Sequence, residues 1–198
     1  MGKKGAHGHH RLIVQPDDGV EAVLGLLASA RKTLRTVQFT LDDPRVVDAI
    51  LDAHRRRVSV EVLLNPHKSS GERGNDDTFK HLKRAGVAVE WTHPRFPVTH
   101  EKAIVIDDEH ALVASFNLSP KYFGETRDHG VLTDDPAQLR AIVEAFESDW
   151  RRKPFAPRDD SGLVWSPDNA RRLIAGLLIG GINGVSRRST EHPIPDVR

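Results

Sequence analysis

Apolar runs of strand type alternate with helical segments over the first 150 residues, and proline beside aspartate marks the helix starts. The three starts are Pro16-Asp17-Asp18, Asp42-Asp43-Pro44 and Asp135-Pro136. Proline is tolerated at the first helical position, where its missing N–H has no partner in any case, and aspartate caps the exposed N–H groups of the first turn. Strands that alternate with helices in this way predict an α/β domain.

The coarse pattern predicts seven strands and four helices in this part of the chain. Strand-like runs occupy residues 12–14, 36–40, 58–64, 87–91, 103–106, 111–115 and 131–132. Helical spacing follows each proline-marked start and recurs over 78–85, where Gly86 ends the helix. The polar loop 65–77 is longer than a simple connection needs, which favours a functional role.

An internal repeat determines the predicted domain organisation. Residues 163–169 (LVWSPDN) repeat 12–18 (LIVQPDD) at an offset of 151 residues, and the offset persists through Gly25/Gly176, Leu26/Leu177 and Leu27/Leu178. We therefore predict a disordered leader over 1–11, a complete repeat over 12–152, a linker over 153–162 and the truncated start of a second repeat over 163–198. The last segment is expected to end in a disordered tail after Val185.

Composition excludes several classes of protein. The chain of 198 residues contains no cysteine, which removes thiol catalysis, disulfides and cysteine-ligated zinc. Its formal charge of +1 lacks the strongly basic signature of a dedicated nucleic-acid binder. No apolar run reaches the roughly 20 residues that span a bilayer. We expect a cytoplasmic protein without a transmembrane segment, with peripheral association with a membrane as a further option.

One spaced set of polar residues stands out between residues 100 and 128. His100 and Lys102 are followed by Asp107 after four apolar residues, and after six more residues by the run Ala114-Ser115-Phe116-Asn117. This set resembles the HKD motif of the phospholipase D superfamily, with Ala114 where glycine is usual. Asp128 resembles the acidic residue, often glutamate, that precedes a later strand in that family. Residues 12–152 thus resemble one half of the bacterial cardiolipin synthase-like phospholipase D proteins.

The resemblance implies a phospholipase D fold, in which a mixed β-sheet is flanked by helices on both faces. It also implies a metal-independent phosphodiesterase that needs no cofactor and forms a phosphohistidine intermediate. Two histidines from two motifs act in such enzymes, and this chain has one motif. We therefore expect a homodimer in which each copy supplies His100, acting on a phosphodiester substrate by hydrolysis or transphosphatidylation. The near-neutral charge favours a phospholipid-like substrate over a nucleic acid.

The chemistry of phosphodiester cleavage gives each residue of the set a role. His100 is the candidate nucleophile, because an imidazole is largely neutral at physiological pH. Lys102 supplies a cation beside the phosphate, and Ser115 and Asn117 offer neutral donors to its oxygens. Asp128 would orient the His100 ring, as a carboxylate does in hydrolase triads. Asp107 is assigned to structure, since it ends a strand where an acceptor can cap the turn.

A second interpretation keeps the fold and removes the activity. A truncated half that lacks its second histidine would be catalytically inactive and would serve at most as a phosphate-binding or interaction module through Lys102, Ser115 and Asn117. The two interpretations differ in the oligomeric state that they predict.

Overall fold

A mixed sheet of seven strands forms the first of two compact units, which divide between Phe155 and Ala156. The computed structural model describes residues 8–191. The strands are β1 (His10–Val14), β2 (Thr33–Gln38), β3 (Ser59–Leu64), β4 (Ala88–Trp91), β5 (Lys102–Ile106), β6 (His110–Ala114) and β7 (His129–Thr133). The helices of this unit are α1 (Glu21–Ser29), α2 (Pro44–Arg55), α3 (Asp76–Arg84), α4 (Pro120–Gly124) and α5 (Pro136–Trp150).

The sheet order is β1-β7-β6-β5-β2-β3-β4, with β2, β3 and β4 parallel and the other pairs antiparallel. Helices cover both faces. One face carries the main apolar core, in which Leu34 and Ile104 pack with residues of α1 and α2. On the other face Val37 and Leu63 pack against Phe146 of α5. The predicted mixed sheet with helices on both faces is therefore confirmed.

Two proline-marked helix starts are confirmed, and the first is corrected. Asp43 and Asp135 cap α2 and α5 by accepting hydrogen bonds from backbone N–H groups of the first turn. Pro16, however, lies in a turn, and α1 begins only at Glu21. The Asp18 carboxylate accepts a hydrogen bond from the backbone N–H of Val14, so it closes the turn after β1 instead of capping the helix.

The two predicted disordered ends are also corrected in part. His10 and Arg11 belong to β1, because they pair with Thr133 and Leu132 of β7, so a leader over 1–11 is too long. At the other end, α6 (Ala170–Glu191) continues past Val185, where we expected the helix to have ended. Residues 1–7 and 192–198 of the predicted leader and tail lie outside the described residues.

The second unit repeats one local structure of the first. In the turn after β1, the Val14 N–H donates to Asp18 Oδ2 at 2.7 Å. In the second unit the Trp165 N–H donates to Asn169 Oδ1 at 2.7 Å, at the same offset of 151 residues. This shared turn supports the predicted repeat. Within residues 8–191, no helix has both the length and the apolar character needed to cross a membrane.

One edge of the first unit's sheet collects most of the predicted site residues. Since β2 and β5 are antiparallel with Gln38 opposite Lys102, the end of β2 lies beside the start of β5. Since β6 runs antiparallel to both β5 and β7, the end of β6 lies between the starts of those two strands. The segments around His100, Ser115 and Asp128 therefore lie along the same edge.

Candidate active site

His100 and Lys102 form a contacting pair at the start of β5. Lys102 Nζ donates to the backbone oxygen of His100 at 2.7 Å and lies 3.2 Å from His100 Nδ1. The imidazole remains exposed at the sheet edge, whereas Lys102 is only 4% exposed. His100 itself precedes the strand, which begins at Lys102. The pair thus presents an accessible imidazole beside a buried ammonium group.

The surroundings shift the pKa of both groups downward. Burial lowers the pKa of His100, and the positive charge of Lys102 lowers it further, because both disfavour the imidazolium. Burial lowers the pKa of Lys102 to about 8, against the opposing attraction of Asp128 and Glu101. The shift of His100 favours a neutral imidazole, and a pKa of about 8 still leaves Lys102 mainly charged at neutral pH, the combination that the predicted roles require.

Phe39, directly after β2, contacts both members of the pair and was not predicted from the sequence. Its ring centroid lies 4.6 Å from that of His100, with the planes tilted by 55°. Lys102 Nζ lies 5.0 Å from the same centroid, within the range of a cation–π interaction. Only the pairing of β2 with β5 brings Phe39 here, so no local sequence signal could have identified it.

Two buried asparagines, also missed from the sequence, connect the loops around this pair. Asn75 Nδ2 donates to the backbone oxygens of Phe39 and Asn65, both at 2.9 Å. Asn65 Oδ1 accepts a hydrogen bond from the N–H of Thr99, the residue before His100, at 2.9 Å. Both side chains belong to residues that are 2% exposed. The long loop after β3 is therefore anchored at its two ends to the segments that carry Phe39 and His100.

Ser115 and Asp128 form a second group. Ser115 Oγ donates to Asp128 Oδ1 at 2.8 Å and accepts a hydrogen bond from the His129 N–H. Among the described residues, Asp128 makes no hydrogen bond to His100, so a single chain does not show the predicted orienting contact. The reason is topological: β6 separates β5 from β7, so Ser115 is the nearer partner. Asp128 still acts on the first group through its charge, which raises the pKa of Lys102.

Asn117 and Ser115 both lie beyond the end of β6, not within a strand as predicted. Asn117 is 6% exposed, and its buried Oδ1 atom makes no hydrogen bond within the described part of the chain. Its backbone neighbour Leu118 donates to the Thr40 oxygen, which keeps this segment beside the end of β2. Asn117 is therefore buried next to the segment that carries Phe39, with an acceptor atom that has no protein partner.

Asp107 lies at the opposite end of β5 from Lys102. Its carboxylate accepts hydrogen bonds from the backbone N–H groups of Arg31, Lys32 and Thr33, at 3.0, 2.7 and 2.8 Å. Burial opposes its ionisation, but these backbone donors outweigh that effect and lower the pKa of Asp107. The contacts fasten the start of β2 to the end of β5, in keeping with the predicted structural role. Among the described residues, no group of acidic and histidine side chains is arranged to hold a metal ion.

With the sheet order and the His100–Lys102 pair described, the chain can be compared with known proteins. The family model described as "Cardiolipin synthase, PLD-like domain" matches residues 23–150. The chain belongs to this family of phospholipase D-like domains. The match lies within the first structural unit and includes every predicted site residue.

The individual proteins that the chain resembles share low sequence identity with it. The mitochondrial cardiolipin hydrolase of Xenopus laevis is 28% identical over 134 residues, which are 68% of this chain and 62% of that protein. The chain thus spans less than two thirds of the length of this curated relative. Nuc from Salmonella typhimurium, a phospholipase D family member, superposes with a TM-score of 0.65 at 17% identity, over 77% of this chain and 100% of its own. The polyphosphate kinase of Porphyromonas gingivalis gives 0.70 at 18% identity, over 90% of this chain and 32% of its own. These structures establish the fold.

Proposed function

We propose that the protein is a metal-independent phosphodiesterase that works through a phosphohistidine intermediate and completes its active site by homodimerisation. The observation that carries this proposal is the accessible imidazole of His100 beside the buried ammonium group of Lys102, 3.2 Å away. The lowered pKa of His100 favours a neutral nucleophile, and a pKa of about 8 leaves Lys102 mainly protonated at neutral pH.

The proposed reaction has two steps. The imidazole nitrogen of His100 that faces away from Lys102, Nε2, attacks phosphorus, and the bond from phosphorus to the leaving oxygen breaks. The His100 side chain of the second copy donates its proton to that oxygen. Water, or an alcohol, then attacks the phosphohistidine, gives up its proton to the same second histidine, and releases the product with His100 restored. Lys102 and Asn117 would stabilise the charged phosphoryl oxygens in both steps.

The contact between Lys102 Nζ and His100 Nδ1 bears on which copy acts as acid. When Nδ1 accepts a hydrogen bond from the ammonium, the proton of the neutral ring resides on Nε2. The nucleophilic form needs the reverse, with the proton on Nδ1, and Lys102 can then keep its 2.7 Å bond to the backbone oxygen of His100. The acid instead needs the imidazolium, with a proton on both nitrogens, because a neutral ring that gave up its only proton would become an imidazolate. In a dimer, one copy would begin the reaction with the neutral ring protonated on Nδ1 and the other with the imidazolium.

An exposed apolar stripe supports the proposed dimer. Leu12 and Val113 lie directly opposite Val131 on the two strands that flank it, so all three side chains share one face of the sheet. Their exposed fractions are 56%, 40% and 41%. Ser115 is two residues beyond Val113 along the chain, so the stripe lies near the edge of the sheet that carries the candidate site. A twofold contact through it would bring two such edges together.

A phospholipid-like substrate fits this chain better than a nucleic acid. The formal charge of +1 provides little of the general attraction that a nucleic-acid backbone needs. The name of the Xenopus relative also refers to a lipid, cardiolipin. Our proposal includes a cytoplasmic location with peripheral contact to a membrane, where such substrates are found.

The first experiment measures hydrolysis of an aryl phosphodiester by the wild type and by His100→Ala. We expect the variant to lose activity, and EDTA to leave the wild type unaffected. His110→Ala is the matched control, because His110 is exposed at the far end of β6 and should be dispensable. Loss of activity in EDTA would contradict the metal-independent mechanism, and an active His100→Ala would contradict the nucleophile.

The second experiment measures the oligomeric state by light scattering. We expect a dimer that Val131→Lys dissociates, with loss of activity in parallel. A strictly monomeric and inactive wild type would instead favour the second candidate, a phosphate-binding module. That candidate is supported by one observation: within a single chain, the described contacts of Asp128 go to Ser115 and not to the nucleophile.

A further inference from the structure

We propose that Phe39 is a positioning residue for the catalytic pair. Its ring keeps the Lys102 ammonium group and the His100 imidazole next to each other. The inference rests on the proposed function of His100 and Lys102 and adds a third residue that does not itself react. Phe39 touches both groups, with its ring centroid 4.6 Å from the His100 ring and 5.0 Å from Lys102 Nζ.

The ring adds a short-range contact to the charge attraction that Asp128 and Glu101 exert on the ammonium group. Lys102 Nζ has three donors, and the structure directs it to two atoms of one residue, the oxygen and Nδ1 of His100. The face of an aromatic ring attracts a cation most strongly where water is excluded, as it is around a residue that is 4% exposed. Phe39 therefore gives the amine a contact with a second residue.

The backbone of Phe39 is fixed on both sides. Its N–H donates to the oxygen of Glu101 at 3.0 Å, between the two catalytic residues. Its own oxygen accepts from Asn75 Nδ2 at 2.9 Å. Asn75 in turn donates to the oxygen of Asn65, whose side chain holds the Thr99 N–H just before His100. One buried pair of amides thus sets the position of the ring and that of the imidazole together.

Ordinary core packing does not account for Phe39. The residue is half-buried, and neither the main apolar core nor the cluster around Phe146 includes it. Phe116 and Phe123, by contrast, belong to the main core and contact each other. The aromatic contacts that the structure gives Phe39 are to His100 and Lys102 alone.

The test compares Phe39→Leu, which removes the ring, with Phe39→Tyr, which keeps it. We expect Phe39→Leu to lower kcat/KM about tenfold, from the usual strength of a cation–π contact. The decrease of activity at high pH should begin at a lower pH in this variant, because the Lys102 ammonium loses a favourable contact and its pKa falls. The other titratable groups that face this ammonium are His100, Glu101 and Asp128. Phe39→Tyr should restore both values. Phe96→Leu is the control, since Phe96 is another half-buried aromatic whose contacts are to His93 and Arg95.

A titration of the Lys102 Cε signal by NMR separates this inference from the proposed function, because it needs no substrate. A lower pKa of Lys102 in Phe39→Leu, reversed in Phe39→Tyr, supports the positioning role even if His100→Ala remains active. If Phe39→Leu leaves both the pKa of Lys102 and the rate unchanged, while His100→Ala abolishes activity, the role of Phe39 is overturned and the proposed function remains intact. Equal losses in Phe39→Leu and Phe39→Tyr would also overturn it.

Discussion

Asp107→Asn tests the assignment of Asp107 to structure and not to phosphate chemistry. The carboxylate accepts three backbone N–H groups at the start of β2, and it is located at the end of β5 away from Lys102. Asparagine keeps the shape of the side chain and tolerates the positive φ of 55° at this position. The substitution therefore removes the charge and one acceptor atom without imposing backbone strain.

The expected loss of stability follows from the three hydrogen bonds. Bonds to a charged acceptor contribute about 1.5–3 kcal/mol and neutral ones about 0.5–1.5 kcal/mol, so those from Lys32 and Thr33 weaken by about 1 kcal/mol each. The N–H of Arg31 would face an amide NH₂ in place of Oδ2 and keep only its longer contact of 3.3 Å with Oδ1. Because the site is partly open to solvent, screening reduces the sum, and we expect a loss of about 2–3 kcal/mol.

Urea denaturation, monitored by tryptophan fluorescence, measures this change in the free energy of unfolding. We expect a lower midpoint with an unchanged slope, and activity at low temperature close to that of the wild type. The pKa of Asp107 is lowered in the folded state, so its stabilising effect is present above the ordinary carboxyl pKa and is lost as pH falls through the folded value. The difference between wild type and variant should therefore shrink below about pH 4.

Asp108→Asn is the matched control, because Asp108 is adjacent, also has a positive φ, and is paired with Arg35, which keeps contacts to Glu61 and Glu147. We expect it to change stability by less than about 1 kcal/mol. An Asp107→Asn variant that is as stable as the wild type would refute the structural assignment, whether it is active or inactive.

Three further predictions concern the core, a helix cap and the catalytic pair. Gly130→Ala should lower the free energy of unfolding by about 1–3 kcal/mol in urea titrations, because the added Cβ would lie 2.9 Å from Leu112 Cδ1; an unchanged midpoint would contradict this. Asp43→Ala should remove the cap of α2 and destabilise by about 1–2 kcal/mol, whereas exposed Asp42→Ala should not. Phosphodiesterase activity should decrease as pH rises through about 8, where Lys102 loses its proton. In Lys102→Arg this limb should move to higher pH, and a limb that stays in place would assign it to another group.

The fold was predictable because its signals are local. The buried strand β3 and the helix α2 with its Asp43 cap were recognised from residues that are neighbours in the chain. The turn at Pro16 misled the same reasoning. There the aspartate closes a loop by accepting from Val14, and a local pattern of proline and aspartate does not distinguish such a loop from a helix cap.

The candidate site was predictable only in part, for a physical reason. The spacing of His100 and Lys102 identified them, since both lie within three residues of each other. Their shared environment depends on residues distant in sequence. Asn65 and Asn75 come from the loop after β3, and they reach the site through parallel pairing of β2 with β3 and antiparallel pairing of β2 with β5.

The fold class, the proposed repeat and the candidate nucleophile and cation could be predicted from the sequence, because each depends on residue types and spacings along the chain. The contacts of Phe39 with His100 and Lys102, and of Asp128 with Ser115, exist only in the folded molecule. Those contacts follow from the order of strands in the sheet, and the order is set by how the apolar faces pack, not by any short run of residues.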